Sequence, residues 1–167
     1  MDERNLARAA VLLAIAVLIQ QLRIFIPLPP IMGIAIIGTI VNLVLVLAAR
    51  TIPLRLALGI TLLLPMLAYV QGHLFLLVQI PAVFLGNASY VLLSKKLGEN
   101  IFLWLAPLVK AVIIALGVFW GAAFFGVGEQ VGKQFVLVTF GTQFITGLLG
   151  LWLGKIIIVS LEGHKII

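Results

Sequence analysis

Gln20, Arg23, Gln79, Lys110 and Gln143 are the side chains of this chain whose chemistry fits their surroundings least, because each stands in or beside a long apolar run. Hydrocarbon offers a polar group no partner, so residues of this kind either bond to one another or face a cavity. Gln20 and Gln21 precede Arg23 at the end of the first run, and Gln79 stands near the start of the fourth. On the sixth run Thr139, Gln143 and Thr146 recur at spacings of three and four, which puts them on one helix face. That face continues through Gly150 and Gly154, a small-xxx-small pair suited to close helix packing. The set predicts a polar cavity in the outer half of a helix bundle, lined by Gln20, Arg23, Gln79, Lys110 and Gln143. Hydrogen bonding that only holds the helices together is the alternative for each residue singly.

Lys110 is the most informative of these. It falls about ten residues into the fifth run, about 15 Å along a helix at 1.5 Å per residue, which is near the midplane of a bilayer. The five acids, Asp2, Glu3, Glu99, Glu129 and Glu162, all lie at ends or loops, so no carboxylate inside the membrane can pair with it. Two readings stand. The lysine snorkels, or is satisfied by carbonyls freed beside Pro107, where a helix ladder is interrupted. Otherwise it is a cation that awaits an anionic group of a substrate or a partner subunit. Asn42 and Asn87 are further intramembrane polar residues and are read as structural. Pro27, Pro29 and Pro30 make one stiff loop, and Gly126, Gly128 and Gly132 a loose one, which could form a lid or be ordinary turns.

Other chemistries are thinly represented. With no cysteine there is no disulfide, thiolate metal site or thiol nucleophile. His73 and His164 are far apart and no metal-ligand spacing or phosphate-cradling glycine motif occurs, so neither a metal nor a cofactor is expected. The net charge of +6 raises nucleic acid as a partner, but the basic residues occur in ones and twos between apolar runs, so none is expected. That arrangement is the one of membrane-flanking anchors.

The elements that must position these residues are spanning helices. Hydrophobic residues make up 63% of the 167 residues and charged ones 10%, with a mean hydropathy of +1.30. A soluble domain carries about 25% charged residues, so lipid is the solvent that fits. Runs of about 20 apolar residues can cross a bilayer, and six stretches qualify, over about residues 6–26, 31–49, 56–70, 74–94, 101–125 and 133–160. They predict an all-α single transmembrane domain in a cell membrane, crossed six times. The third run is short, and whether the second and third both cross fully is open. Gly98 is a candidate helix C-cap and Asn100 a candidate N-cap. Asp2 and Glu3 lead the first run and no small-residue cleavage site follows it, so this segment is expected to stay in the mature protein. With the N-terminus cytoplasmic, Arg4, Arg8, Arg50, Arg55, Lys95, Lys96, Lys155 and Lys165 fall on the cytoplasmic side and only Arg23 and Lys133 outside. This asymmetry predicts both ends in the cytoplasm.

The start of the first run reads Asn5-Leu-Ala-Arg-Ala-Ala-Val-Leu-Leu-Ala, with Ala10-xxx-Ala14 and with Ala7 and Ala9 nearby. A short basic start followed by this alanine surface resembles the first helix of the substrate-binding S components of energy-coupling factor (ECF) transporters. The outline of the whole chain, in length, helix count, topology and basic charge, is similar too. The resemblance implies a subunit that captures a vitamin or similar micronutrient from outside with outer-half side chains and external loops. It would then associate with a transmembrane coupling subunit and two cytoplasmic ATPases, which supply the energy. No Walker motif is present here, in keeping with that division of labour. In that family the small-residue surface docks on the coupling subunit, which here gives Ala7, Ala10 and Ala14 as partner-binding residues. Their spacing alone says that another helix can approach closely, be it a partner's or the protein's own. No substrate signature names the ligand. The competing classes are a small assembly subunit of a membrane complex with no ligand of its own and, against the absent acids and cysteine, an intramembrane enzyme.

Overall fold

The computed structural model describes residues 2–25, 29–72, 77, 79–98, 100–126 and 129–163, without the side chains of Arg23, Ile24, Pro30, Ile31, Glu129 and Val131. Among the described residues the chain is all-helical, with six helices and no strand. They are α1 (Glu3–Phe25), α2 (Pro30–Thr51), α3 (Leu54–Val70), α4 (Gln79–Leu97), α5 (Leu105–Phe124) and α6 (Glu129–Gly163), with a 3-10 turn at Ile101–Trp104 leading into α5. Each matches one expected run within a few residues, except at the start of α4. There the expected start at residue 74 lies outside the described residues.

Four stretches are long and apolar enough to cross a membrane: Glu3–Leu22, Met32–Thr51, Ile101–Phe124 and Gly132–Gly163. The second run is therefore of spanning length. The third makes only a 17-residue apolar helix, about 25 Å at 1.5 Å per residue against a hydrocarbon core of about 30 Å. The exterior suits lipid. Leu18, Trp120, Phe124, Leu137 and Trp152 are all more than half exposed, a surface that water would not tolerate on this scale. Along α5 and its leading turn, exposed Phe102 and Trp104 stand at one end and Phe119, Trp120 and Phe124 at the other. Aromatic residues at both ends of a span match the two interfaces of a bilayer.

α2 is the central helix, packed against α1, α3, α4 and α6, while α5 packs on α4 and α6. The core gathers Ala16 of α1, Val44, Leu45 and Ala48 of α2, Ala57 and Leu64 of α3, and Tyr90 and Val91 of α4. Close approach of α6 to α2 rests on the expected glycines. A Cβ at Gly150 would stand 2.6 Å from the Asn42 Cβ and 2.8 Å from the Leu43 nitrogen, and one at Gly154 2.6 Å from Val46 Cγ1.

One end of the bundle is braced by reciprocal bonds. Arg50, in the last turn of α2, donates to the Gly98 carbonyl past the end of α4, and Lys95 of α4 donates at 3.3 Å to the Ile52 carbonyl past the end of α2. Each cation thus serves the unpaired carbonyls of the other helix's C-terminus. Gly98 takes the left-handed conformation, φ +59°, as a C-cap glycine does. The Asn100 side chain accepts from Phe102 N, so the expected caps are both present. Arg4, Thr51 and Leu161 line one groove at this same end. The start of α1 and the end of α6 therefore lie beside the α2–α3 and α4–α5 connections.

Candidate functional site

Toward the opposite end of the bundle lies a cavity of about 180 Å³. Its wall takes residues from late α1 (Gln20), early α2 (Ile34, Ile37), late α3 (Leu64, Pro65, Ala68) and early α4 (Val83). Asn42, Lys110, Gln143 and Thr146 form its deeper polar part, Asn42 and Thr146 near the middle of α2 and α6 and Lys110 in the second turn of α5. The helix spacing explains the convergence. Gln143 and Thr146 are three apart on α6, and Thr146 abuts Gly38 of α2, where a Cβ would stand 3.2 Å from the threonine methyl. Pro65 inside α3 removes the N–H that would bond the Thr61 carbonyl, a break in the ladder on the cavity wall.

Lys110 organises the polar part. It is 3% exposed, and its Nζ donates to Asn42 Oδ1. Asn42 Nδ2 in turn donates to Thr146 Oγ1 at 3.2 Å, and Thr146 Oγ1 donates to the Thr142 carbonyl at 2.7 Å. The ammonium also stands 5.2 Å from the centroid of the Tyr90 ring, a cation–π distance. The Tyr90 hydroxyl donates at 2.8 Å to the Gly147 carbonyl, which fixes the ring. One chain of bonds thus runs from α5 through α2 to α6, and a second from α4 to α6. Every partner of Lys110 among the described residues is neutral. An ammonium has three donors and no acceptor, so both the charge and part of the donor capacity remain unmatched there. Gln20 Oε1 is likewise buried with no hydrogen-bond partner.

Three of the five expected cavity residues, Gln20, Lys110 and Gln143, therefore meet at one cavity. Gln79 does not join them. It is the first residue of α4 as described and is absent from the wall. The side chain of Arg23 lies outside the described residues. Pro107 does not free carbonyls for Lys110, because it occupies the first turn of α5, where no donor is lost. Asn42, read as structural, ties α2 to α5 and α6 through its amide. It is the acceptor for Lys110 and belongs to the wall, as does Asn87, 4% exposed. Tyr90 was not singled out by sequence; only its three-residue spacing from Asn87 could have drawn attention to it. Of the loops that could form a lid, Pro27 and Gly128 lie outside the described residues, while Pro30 and Gly132 belong to α2 and α6 rather than to loops.

Ala7, Ala10 and Ala14 are exposed along α1, while Ala9 and Ala16 on the other side are buried. The expected alanine face is thus turned away from the protein's own core. No group of three or more His, Cys, Asp or Glu side chains that could hold a metal ion occurs among the described residues. The cavity wall thus holds one basic side chain, amide groups, a hydroxyl and apolar side chains. No family model, curated protein or solved structure matches this chain.

Proposed function

We propose that this chain is the substrate-capture subunit of an ECF-type importer, crossing the cell membrane six times and binding a vitamin or similar micronutrient in its cavity. The observation that carries the reading is a cavity inside the helix bundle whose wall holds a buried cation with only neutral partners among the described residues. A helix bundle that serves only as scaffold gains nothing from a buried charge of this kind, which costs several kcal/mol to keep dry. Energy for import comes from separate ATPase subunits, and the chain itself performs no reaction.

Orientation supports the same reading. The braced end carries Arg4, Arg8, Arg50, Arg55, Lys95, Lys96 and Lys155, so by the positive-inside rule it faces the cytoplasm. The cavity then opens to the outside, where a nutrient is met. Since the chain has no cysteine, single cysteines report this directly. Gly72→Cys and Gly128→Cys are expected to react with an impermeant maleimide in whole cells, and Lys96→Cys only after lysis. Labelling of Lys96→Cys in intact cells reverses the orientation.

The exposed alanine face of α1 supports docking on a transmembrane coupling subunit. Small side chains let a partner helix approach until backbone and side chains touch. The double variant Ala10→Trp/Ala14→Trp is expected to keep whatever small molecule the purified protein carries and to abolish that molecule's accumulation by cells. Loss of the bound molecule together with uptake assigns the face to the protein's own packing instead. An assembly subunit with no ligand is the competing reading, and it predicts that no small molecule is carried by either form.

A further inference from the structure

The capture reading leaves the molecule's chemistry open, and the cavity wall narrows it on three independent counts. The first is size. At about 180 Å³ the space is slightly larger than the roughly 150 Å³ that accommodates a benzene ring, and well below the roughly 300–1,000 Å³ of sites for drug-sized ligands. A single ring, or a chain of similar bulk, fills it.

The second is charge. Lys110 meets Asn42 Oδ1 and the face of Tyr90, and neither carries the negative charge that a buried ammonium calls for. One lysine balances one negative charge. A carboxylate supplies that, whereas a phosphate monoester brings about −1.5 to −2 at neutral pH and would be left under-compensated in a dry site. The third is hydrogen-bond sense. Gln20 lines the wall, and its Oε1, turned in from the cavity surface in this structure, has no donor; buried polar atoms are rarely left so, and a turn of the amide brings the oxygen to the cavity. A molecule that satisfies it presents an N–H or O–H. The same wall also presents apolar Ile34, Ile37, Leu64 and Val83.

The geometry points to a monocarboxylate about one ring in size, bearing an N–H or O–H donor, as the captured molecule, with its carboxylate on Lys110 and its donor on Gln20. This rests on the capture reading, and it specifies a class of substrate that the reading by itself does not.

The test uses the full-length protein in lipid nanodiscs and isothermal titration with 2-, 3- and 4-aminobenzoate, benzoate and the three aminobenzamides. At least one aminobenzoate is expected to bind, its amide about ten- to hundredfold more weakly, the scale of one hydrogen bond to a charged group. Benzoate is expected to bind about tenfold more weakly, as suits the loss of one hydrogen bond. Lys110→Met should erase the preference for acid over amide, and Gln20→Leu the preference for aminobenzoate over benzoate. Because the probes vary as well as the protein, a variant that fails to fold leaves the comparison intact. Equal binding of acid and amide overturns the assignment of charge, and equal binding of aminobenzoate and benzoate that of the donor. If no probe binds, mass spectrometry of molecules released from the same preparation separates the two failures. A neutral or multi-ring molecule overturns this inference and leaves capture standing, while no released molecule at all removes both.

Discussion

Replacing Asn42 by leucine is expected to destabilise the protein by about 3 kcal/mol, the cost of leaving a buried charged donor without its acceptor. Asn42 is 1% exposed and connects Lys110 to Thr146. Leucine keeps the branched outline and the number of heavy atoms while adding bulk, so the double variant below is needed to separate the electrical loss from packing. The ammonium keeps only the Tyr90 face, and the Thr146 hydroxyl still donates to the Thr142 carbonyl. The second half of the prediction decides the cause. Lys110→Met removes the charge at similar length, so Asn42→Leu/Lys110→Met should recover most of the loss. Replacing a buried polar set by apolar groups of similar volume is often neutral or stabilising. Thermal unfolding in detergent of the two single variants and the double variant gives the coupling energy directly. Additive losses would mean that Asn42 and Lys110 do not depend on each other.

Gly150→Leu is the second change with a large expected effect, a loss of about 3 kcal/mol or failure to assemble. Even the first carbon of a side chain would stand 2.6 Å from Asn42 Cβ and 2.8 Å from the backbone nitrogen of Leu43. Backbone cannot swing aside as a flexible side chain can, so α6 must move away from α2, and overpacking of this kind costs about 1–3 kcal/mol or more. The displacement also pulls Thr146, one turn earlier on α6, from its bond with Asn42. Gly59 of α3 is the control, since a Cβ there meets nothing within 4 Å. Gly59→Ala should be neutral or stabilising by up to about 1 kcal/mol. Unfolding measured for both variants separates a packing role from a general intolerance of substitution, and equal losses at the two sites would contradict it.

The helices were legible because their cause is local. About twenty apolar residues between polar or proline-bearing breaks make a membrane helix whatever their neighbours do, and the structure agrees over most of the chain. The glycine face of α6 was legible for a related reason, since a small-residue spacing has one main use between helices. Pairing inside the site was not. Lys110 could be recognised as a cation lacking an acid, but which neutral group accepts from it depends on how α5, α2 and α6 are rotated about their axes. No run of sequence states those rotations. Depth alone could have narrowed the choice, because Asn42 stands near the middle of α2 and Lys110 about ten residues into its own apolar run. Gln79 shows the converse failure. Its position within a run suggested burial in the cavity, yet α4 as described begins there and the wall is formed further along, at Val83 and Asn87.

The most direct test of capture asks what the protein carries. The full-length chain, purified gently from its membrane, is unfolded and the released small molecules are identified by mass spectrometry, beside the variant Val83→Trp. Val83 lines the cavity, and an indole there fills much of about 180 Å³ without altering Lys110, Asn42 or Gln20. The account predicts a small molecule released in near-stoichiometric amount from the natural chain and missing from the filled variant. The same profile of released molecules from both proteins, or none from either, would contradict it.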